Sequence, residues 1–266
     1  MRFELDFPII EEKYRTNFET TGWFAKSFPS ISFYRRMLKI VWNAARLAKR
    51  GEYDDKRWCR SSYGILRAAE HVGTEVSIEG LNEVTNFTDP CVIVGNHMST
   101  LETFLLPYLI CPNKPLTFVI KEALTTYPVF KHIMISRDPI VVGRSNPKQD
   151  FLTVLKEGVD RLENGMSVVV FPQTTRMTEF DRSQFNSIGI KLAKRASVPV
   201  VPLALKTDCW GNGSIIKDFG KIDPQKSIHF KFGPKMAIEG NGKNQQEAVI
   251  SHIENCLLQW REKNRD

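Results

Sequence analysis

Long apolar runs are missing from this 266-residue sequence. No stretch reaches the roughly 18 uninterrupted apolar residues that a spanning helix needs, so a polytopic membrane protein is not expected. The opening MRFELDFPIIEEK lacks the basic-then-apolar order of a signal peptide. Cysteine is sparse and unpatterned. The five residues Cys59, Cys91, Cys111, Cys209 and Cys256 are odd in number and form no CxxC pair, which argues against a disulfide framework or a zinc site and for a reducing compartment. Internal repeats, low-complexity linkers and a GxSxG elbow are also lacking. These absences predict a protein made and kept in the cytosol that, if it acts on lipid, does so from the surface.

Acid is in deficit: 37 Lys and Arg face 30 Asp and Glu, a formal net charge of +7. Such a balance suits nucleic acid, an anionic membrane face or an acidic substrate, and its distribution has to decide among them. Residues 31–50, ISFYRRMLKIVWNAARLAKR, hold six Lys or Arg and no acid. Their apolar residues Tyr34, Met37, Leu38, Val41, Ala45 and Ala48 recur at helical spacing, which predicts a basic amphipathic helix. A second helical stretch, KRWCRSSYGILRAAEHVG, adds Lys56, Arg57, Arg60 and Arg67, with Gly73 placed to stop it. Two readings are open. The helices can bury their apolar faces in a core and merely solvate their charge, or they can form a membrane-docking platform, for which Tyr34, Trp42, Trp58 and Tyr63 supply interfacial aromatics. No nucleic-acid motif accompanies the charge.

From about residue 76 the texture changes to short apolar runs separated by helical patterns: EVSIEG, PCVIVGN, PLTFVIK, PIVVGR, MSVVVFP, VPVVPLAL and SIHFKFG. This alternation predicts an α/β sheet. Helices are expected near 99–110, 147–163, 186–197 and 244–263, and Asn146 followed by Pro147 marks one of the starts.

The chemistry gathers directly after the run PCVIVG, in NHMSTLETFLLP. On one continuous helix, His97 and Glu102 would point roughly 140° apart. They can meet if His97 lies in the strand-to-helix loop and Glu102 in the first helical turn, a placement supported by Ser99 as N-cap with Glu102 three residues on. A carboxylate there would fix the imidazole tautomer and leave its other nitrogen basic toward a hydroxyl. Alone, the same pattern also reads as a capping box beside an ordinary loop histidine. Ser99 serves better as a cap than as a nucleophile.

Four blocks in order resemble the glycerolipid acyltransferase family typified by bacterial 1-acylglycerol-3-phosphate acyltransferases. NHMSTLE is similar to the family's NHxSxxD, KEAL with IVVGR to its second block, FPQTTR to FPEGTR, and VPVVPLAL to the closing VPxxPV. The resemblance covers about residues 76–235. It implies an α/β fold with a mixed β-sheet flanked by helices, occupying residues 76–266 as a catalytic domain behind a basic amphipathic helical region at 1–75.

The same resemblance implies an acyl group moving from acyl-CoA or acyl carrier protein to the free hydroxyl of 1-acylglycerol 3-phosphate at the cytoplasmic membrane face. His97 would be the general base, Glu102 its orienting partner, and Arg176 with Arg144 and Lys121 would hold the acceptor phosphate. Gln173, Thr174 and Thr175 of the third block would also line the substrate site. No covalent acyl-enzyme, metal or tightly held cofactor is implied. Glu102 replaces the family's Asp, and Gln173 and Thr174 replace Glu and Gly. These two departures leave open a different lyso-lipid acceptor, such as a lyso-ornithine lipid. A non-catalytic lipid- or carrier-binding protein of the same fold is the remaining alternative, against which the retention of both His97 and Glu102 argues.

Overall fold

The computed structural model describes residues 3–17, 21–128, 130–173, 175–213 and 219–262. In chain order the elements are β1 (Tyr14–Arg15), α1 (Trp23–Ser27), α2 (Pro29–Lys49), α3 (Asp55–His71), β2 (Val76–Glu79), α4 (Asn82–Thr85), β3 (Val92–Gly95), α5 (Leu101–Ile110), β4 (Leu116–Lys121), α6 (Ala123–Thr126), α7 (Phe130–Ile135) and β5 (Ile140–Val142). They continue with α8 (Pro147–Glu163), β6 (Ser167–Val170), α9 (Ile188–Ala196), β7 (Val200–Lys206), β8 (Ile228–Phe232) and α10 (Lys243–Glu262).

The strands form one mixed sheet in the order β1-β2-β8-β7-β3-β6-β4-β5. From β7 to β5 all neighbours are parallel, whereas β8 is antiparallel to β7 and β1 is antiparallel to β2. The seven expected strands are β2 to β8; β1, two residues long, was not anticipated.

β3 and β6 are buried at every position, as parallel strands covered on both faces must be. Side chains alternate between two cores. Val92, Val94, Val168 and Val170 pack with Val154, Leu192 and Ile253 from α8, α9 and α10. Ile93, Val169 and Val201 belong to the other core, with Phe33, Met37, Ile65 and Leu105 from α2, α3 and α5. The N-terminal helices thus share a core with the sheet.

Several local expectations need correction. The buried stripe of α2 is Phe33, Met37, Val41 and Ala44, while Leu38 faces outward, because the helix presents the i, i+4, i+8, i+11 row to the sheet. Trp58 is an interior residue, 7% exposed and edge-on to Phe118, and Tyr63 stacks on Phe7 at 4.9 Å. Neither belongs to an exposed platform. Pro202 lies inside β7; its carbonyl accepts the Gly233 N–H at 2.9 Å just where β8 ends, so its missing donor interrupts little of the ladder. Asn146 does cap α8, accepting the Gln149 N–H at 3.2 Å.

Candidate active site

The parallel strands end together at one edge of the sheet, where crossover loops of such folds gather ligand-binding groups. The chain leaves β3 at Gly95, where a Cβ would sit 2.9 Å from the Leu203 carbonyl oxygen, so only glycine allows this approach to β7. Asn96 prolongs the ladder with its side chain, donating to the Leu205 carbonyl at 2.8 Å and accepting the Leu205 N–H at 2.9 Å. His97 therefore begins from a fixed backbone.

Three contacts set His97 itself. Its N–H donates to Gln173 Oε1 at 2.7 Å, its carbonyl accepts the Met177 N–H at 2.9 Å, and its ring stacks on Phe171 with centroids 4.6 Å apart. Its Nδ1 lies 2.8 Å from Glu102 Oε1. The meeting depends on the loop, as expected, but the cap is shifted by one residue. Helix α5 starts at Leu101 with Thr100 as N-cap, whose side chain makes no capping bond, while Ser99 Oγ, one residue earlier, accepts the Leu101 N–H at 3.1 Å.

Glu102 is fully buried. Oε1 accepts from the Met98 N–H at 2.7 Å and the Ser99 N–H at 2.9 Å in addition to His97. Oε2 lies 2.9 Å from Ser99 Oγ and 2.6 Å from Thr207 Oγ1. Burial is the largest single influence and pushes the carboxyl up, but bonds from His97, Thr207 and the backbone together hold it below the ordinary glutamate value. An ionised Glu102 requires the Nδ1–H tautomer of His97, which leaves Nε2 as the basic nitrogen.

His97 lines a cavity of about 340 Å³. Its polar lining includes Thr100, Lys121, Arg144, Thr175 and Arg176; its apolar lining draws Met37 and Val41 from α2, Ile65 from α3, Phe104 from α5, Phe118 from β4 and Phe130 from α7. Arg176 donates from Nη1 to Thr100 Oγ1 at the start of α5. Arg144 is exposed and takes a left-handed backbone with φ of 61°, held by Asp150, which accepts the N–H groups of Gly143 and Arg144 at 3.0 and 2.8 Å.

Of the expected site residues, His97, Lys121, Arg144, Thr175 and Arg176 thus line one cavity, and Glu102 stands behind His97. Gln173 does not line it. It is buried, lies outside the cavity lining, and uses Oε1 on the His97 backbone. Thr174 lies outside the described residues. Among the described residues no group of three or more His, Cys, Asp or Glu is placed to hold a metal ion.

The sequence reading passed over Asn96, Phe171 and Thr207. A signal existed for two of them. Asn96 is a polar residue wedged between an apolar strand and the histidine, and Thr207 closes the run VPVVPLALK at the same sheet edge. Phe171 read only as the apolar end of β6.

A family model described as Acyltransferase matches residues 75–206. A 1-acyl-sn-glycerol-3-phosphate acyltransferase of Pseudomonas aeruginosa is 31% identical over 188 residues, spanning 70% of this chain and 68% of that relative. A chloroplastic protein of the same name from Brassica napus is 28% identical over 142 residues, which are 53% of this chain but only 39% of the relative. In structure, the 1-acyl-sn-glycerophosphate (LPA) acyltransferase PlsC from Thermotoga maritima superposes with a TM-score of 0.66 at 16% identity, covering 87% of this chain and 94% of that one. At that identity the likeness speaks for the fold.

Proposed function

As the chain belongs to the glycerolipid acyltransferase family, we propose that it moves a fatty acyl group from a thioester donor to the free hydroxyl of 1-acylglycerol 3-phosphate, forming phosphatidic acid for phospholipid biosynthesis. The observation that carries this reading is a buried, ionised Glu102 holding His97 at a cavity that is cationic in one part and apolar in another.

His97 Nε2 takes the proton of the acceptor hydroxyl as its oxygen attacks the thioester carbonyl carbon. The carbon–sulfur bond then breaks, and the thiol leaves with the proton returned from Nε2. Glu102 stays ionised throughout and stabilises the transient imidazolium. Arg176, with Lys121 and Arg144, holds the acceptor phosphate, aided by the positive end of α5 beside Thr100. Acyl-CoA or acyl carrier protein is the donor, and the apolar lining receives a fatty chain.

The lipid is met at a membrane surface. No helix among the described residues is long and apolar enough to cross a membrane. The outward side of α2 instead mixes Arg35, Arg36, Lys39 and Arg46 with Ile31, Leu38 and Trp42, and α1 adds Trp23 and Phe24, a composition suited to an anionic headgroup boundary on the cytoplasmic side.

The acceptor is tested by offering the purified protein labelled acyl-CoA and acyl carrier protein thioesters and a panel of lyso-lipids in vesicles, with products identified by mass spectrometry. Phosphatidic acid should dominate. Preferential acylation of a lyso-lipid without a terminal phosphate would overturn the acceptor, and no ester product from any acyl-CoA or acyl carrier protein would overturn the reaction.

A further inference from the structure

Glu102 Oε2 lies beyond the reach of His97 and is nonetheless fully coordinated. Two hydroxyls converge on it, and each has only one proton to give. Thr207 Oγ1 is 2.6 Å from Oε2, Ser99 Oγ is 2.9 Å from Oε2, and the two hydroxyl oxygens are themselves 2.9 Å apart. Ser99 Oγ already accepts the Leu101 N–H, so its proton goes to Oε2 or to Thr207. Oε2, at 2.6 Å and charged, is a nearer and stronger acceptor for the Thr207 proton than Ser99 Oγ at 2.9 Å. Thr207 is completely buried and follows directly on β7, 105 positions from Glu102 in sequence. It therefore ties the closing strand of the parallel sheet to the loop that carries the histidine.

We propose that Thr207 is a positioning residue of the acyl transfer: its hydroxyl, backed by Ser99, fixes the rotamer and the negative charge of Glu102, and through them the Nδ1–H tautomer of His97. This assignment rests on the dyad acting as the base. A protonated Glu102 would have to turn a donor toward Thr207, which would leave the Thr207 proton to find Ser99 and reverse the local chain of bonds. The arrangement also suits the extra methylene of Glu102: Oε1 takes the Met98 and Ser99 N–H groups, and Oε2 reaches Thr207 beyond β7 while sharing the Ser99 N–H at 3.1 Å.

The other ionisable groups nearby do not substitute for it. Asp208 is paired with Lys206 at 2.8 Å and Lys226 at 3.1 Å, Cys209 is a thiol driven upward by burial, and Arg176 engages Thr100. None of these supplies a donor to Oε2.

Removing one donor from a carboxylate raises the affinity of the whole dyad for protons, whichever of the two groups takes the proton. The test compares kcat against pH for wild type, Thr207→Val, Thr207→Ser and His97→Ala, with thermal melts to confirm folding. Thr207→Val should lower kcat about tenfold, the worth of a hydrogen bond to a charged group, and move the acid limb of the profile to higher pH. KM for the acceptor should hardly change, and Thr207→Ser should restore both rate and profile. Thr207→Cys, a weaker donor of similar size, gives the same comparison should the valine variant not fold, again with an upward shift of the acid limb. A folded Val or Cys variant with an unmoved acid limb, or a Ser variant as impaired as Val, overturns the assignment. His97→Ala separates the two levels: if it is inactive while Thr207→Val is normal, only the role of Thr207 falls, whereas an active His97→Ala removes the dyad reading itself.

Discussion

Glu102 is buried and charged at once, a combination that costs several kcal/mol unless every lone pair finds a donor. His97, the Met98 and Ser99 N–H groups and two hydroxyls provide them. Because the folded carboxyl lies below its ordinary value, this stabilisation is complete above the ordinary value and disappears as pH falls through the lowered one. Wild type should accordingly exceed Glu102→Gln in stability by about 1–3 kcal/mol at neutral pH. The gap should narrow in denaturant titrations carried below the carboxylate range, and a gap independent of pH would contradict an ionised Glu102. Gln173 makes a different case. Its Oε1 accepts the His97 N–H, a task a carboxylate performs equally well, and it stands clear of the cavity lining. Gln173→Glu should leave acceptor preference unchanged in a two-acceptor competition, whereas Gln173→Leu should lower turnover about tenfold or more by leaving the part-buried N–H of His97 unpaired.

Helix α5 places Glu102 in its first turn although Pro107 breaks its interior bonding. The neighbouring α3 repairs the break. Ser62 Oγ donates to the Phe104 carbonyl at 2.5 Å and accepts the Tyr108 N–H at 2.9 Å, inserting one hydroxyl where a helical bond would run. Ser62→Ala should therefore cost about 1–3 kcal/mol in thermal or urea unfolding, the penalty of two buried unsatisfied groups, while Ser62→Thr should recover part of it. An alanine variant as stable as wild type would show that water or relaxation satisfies these groups. Nothing in the sequence pairs Ser62 with Pro107, because the contact joins two helices 46 positions apart. The same limit explains what could be read in advance and what could not. Strands β2 to β8 and helices α5, α8, α9 and α10 were legible, since each is a run of apolar residues or a periodic pattern bounded by its own turn signals. His97 and Glu102 were legible because five positions of separation across a strand-to-helix junction is a local matter. The contact of Thr207 with Glu102, the stacking of Phe171 and the inward turn of Gln173 depend on which strands lie side by side, and the order β7-β3-β6 is set by packing of the whole sheet.

At the scale of the molecule, chemistry and surface fall on the same helix. Met37 and Val41 of α2 line the cavity while Trp42, 71% exposed, and the surrounding Arg35, Arg36 and Lys39 face outward. Arg35, Arg36 and Lys39 changed together to Gln should weaken binding to anionic vesicles, each charge contributing about 1 kcal/mol, with the difference shrinking as salt rises. Co-sedimentation that is equal on neutral and anionic vesicles at every salt concentration would reject an electrostatic platform. The central claim, that His97 is the base of an acyl transfer to a lyso-lipid hydroxyl, has a direct measurement: the rate of phosphatidic acid formation from acyl-CoA and 1-acylglycerol 3-phosphate, followed by mass spectrometry for wild type and for folded His97→Ala. Wild type should make the product, and the variant should be slower by at least about two orders of magnitude. Comparable rates from the two proteins would contradict the account.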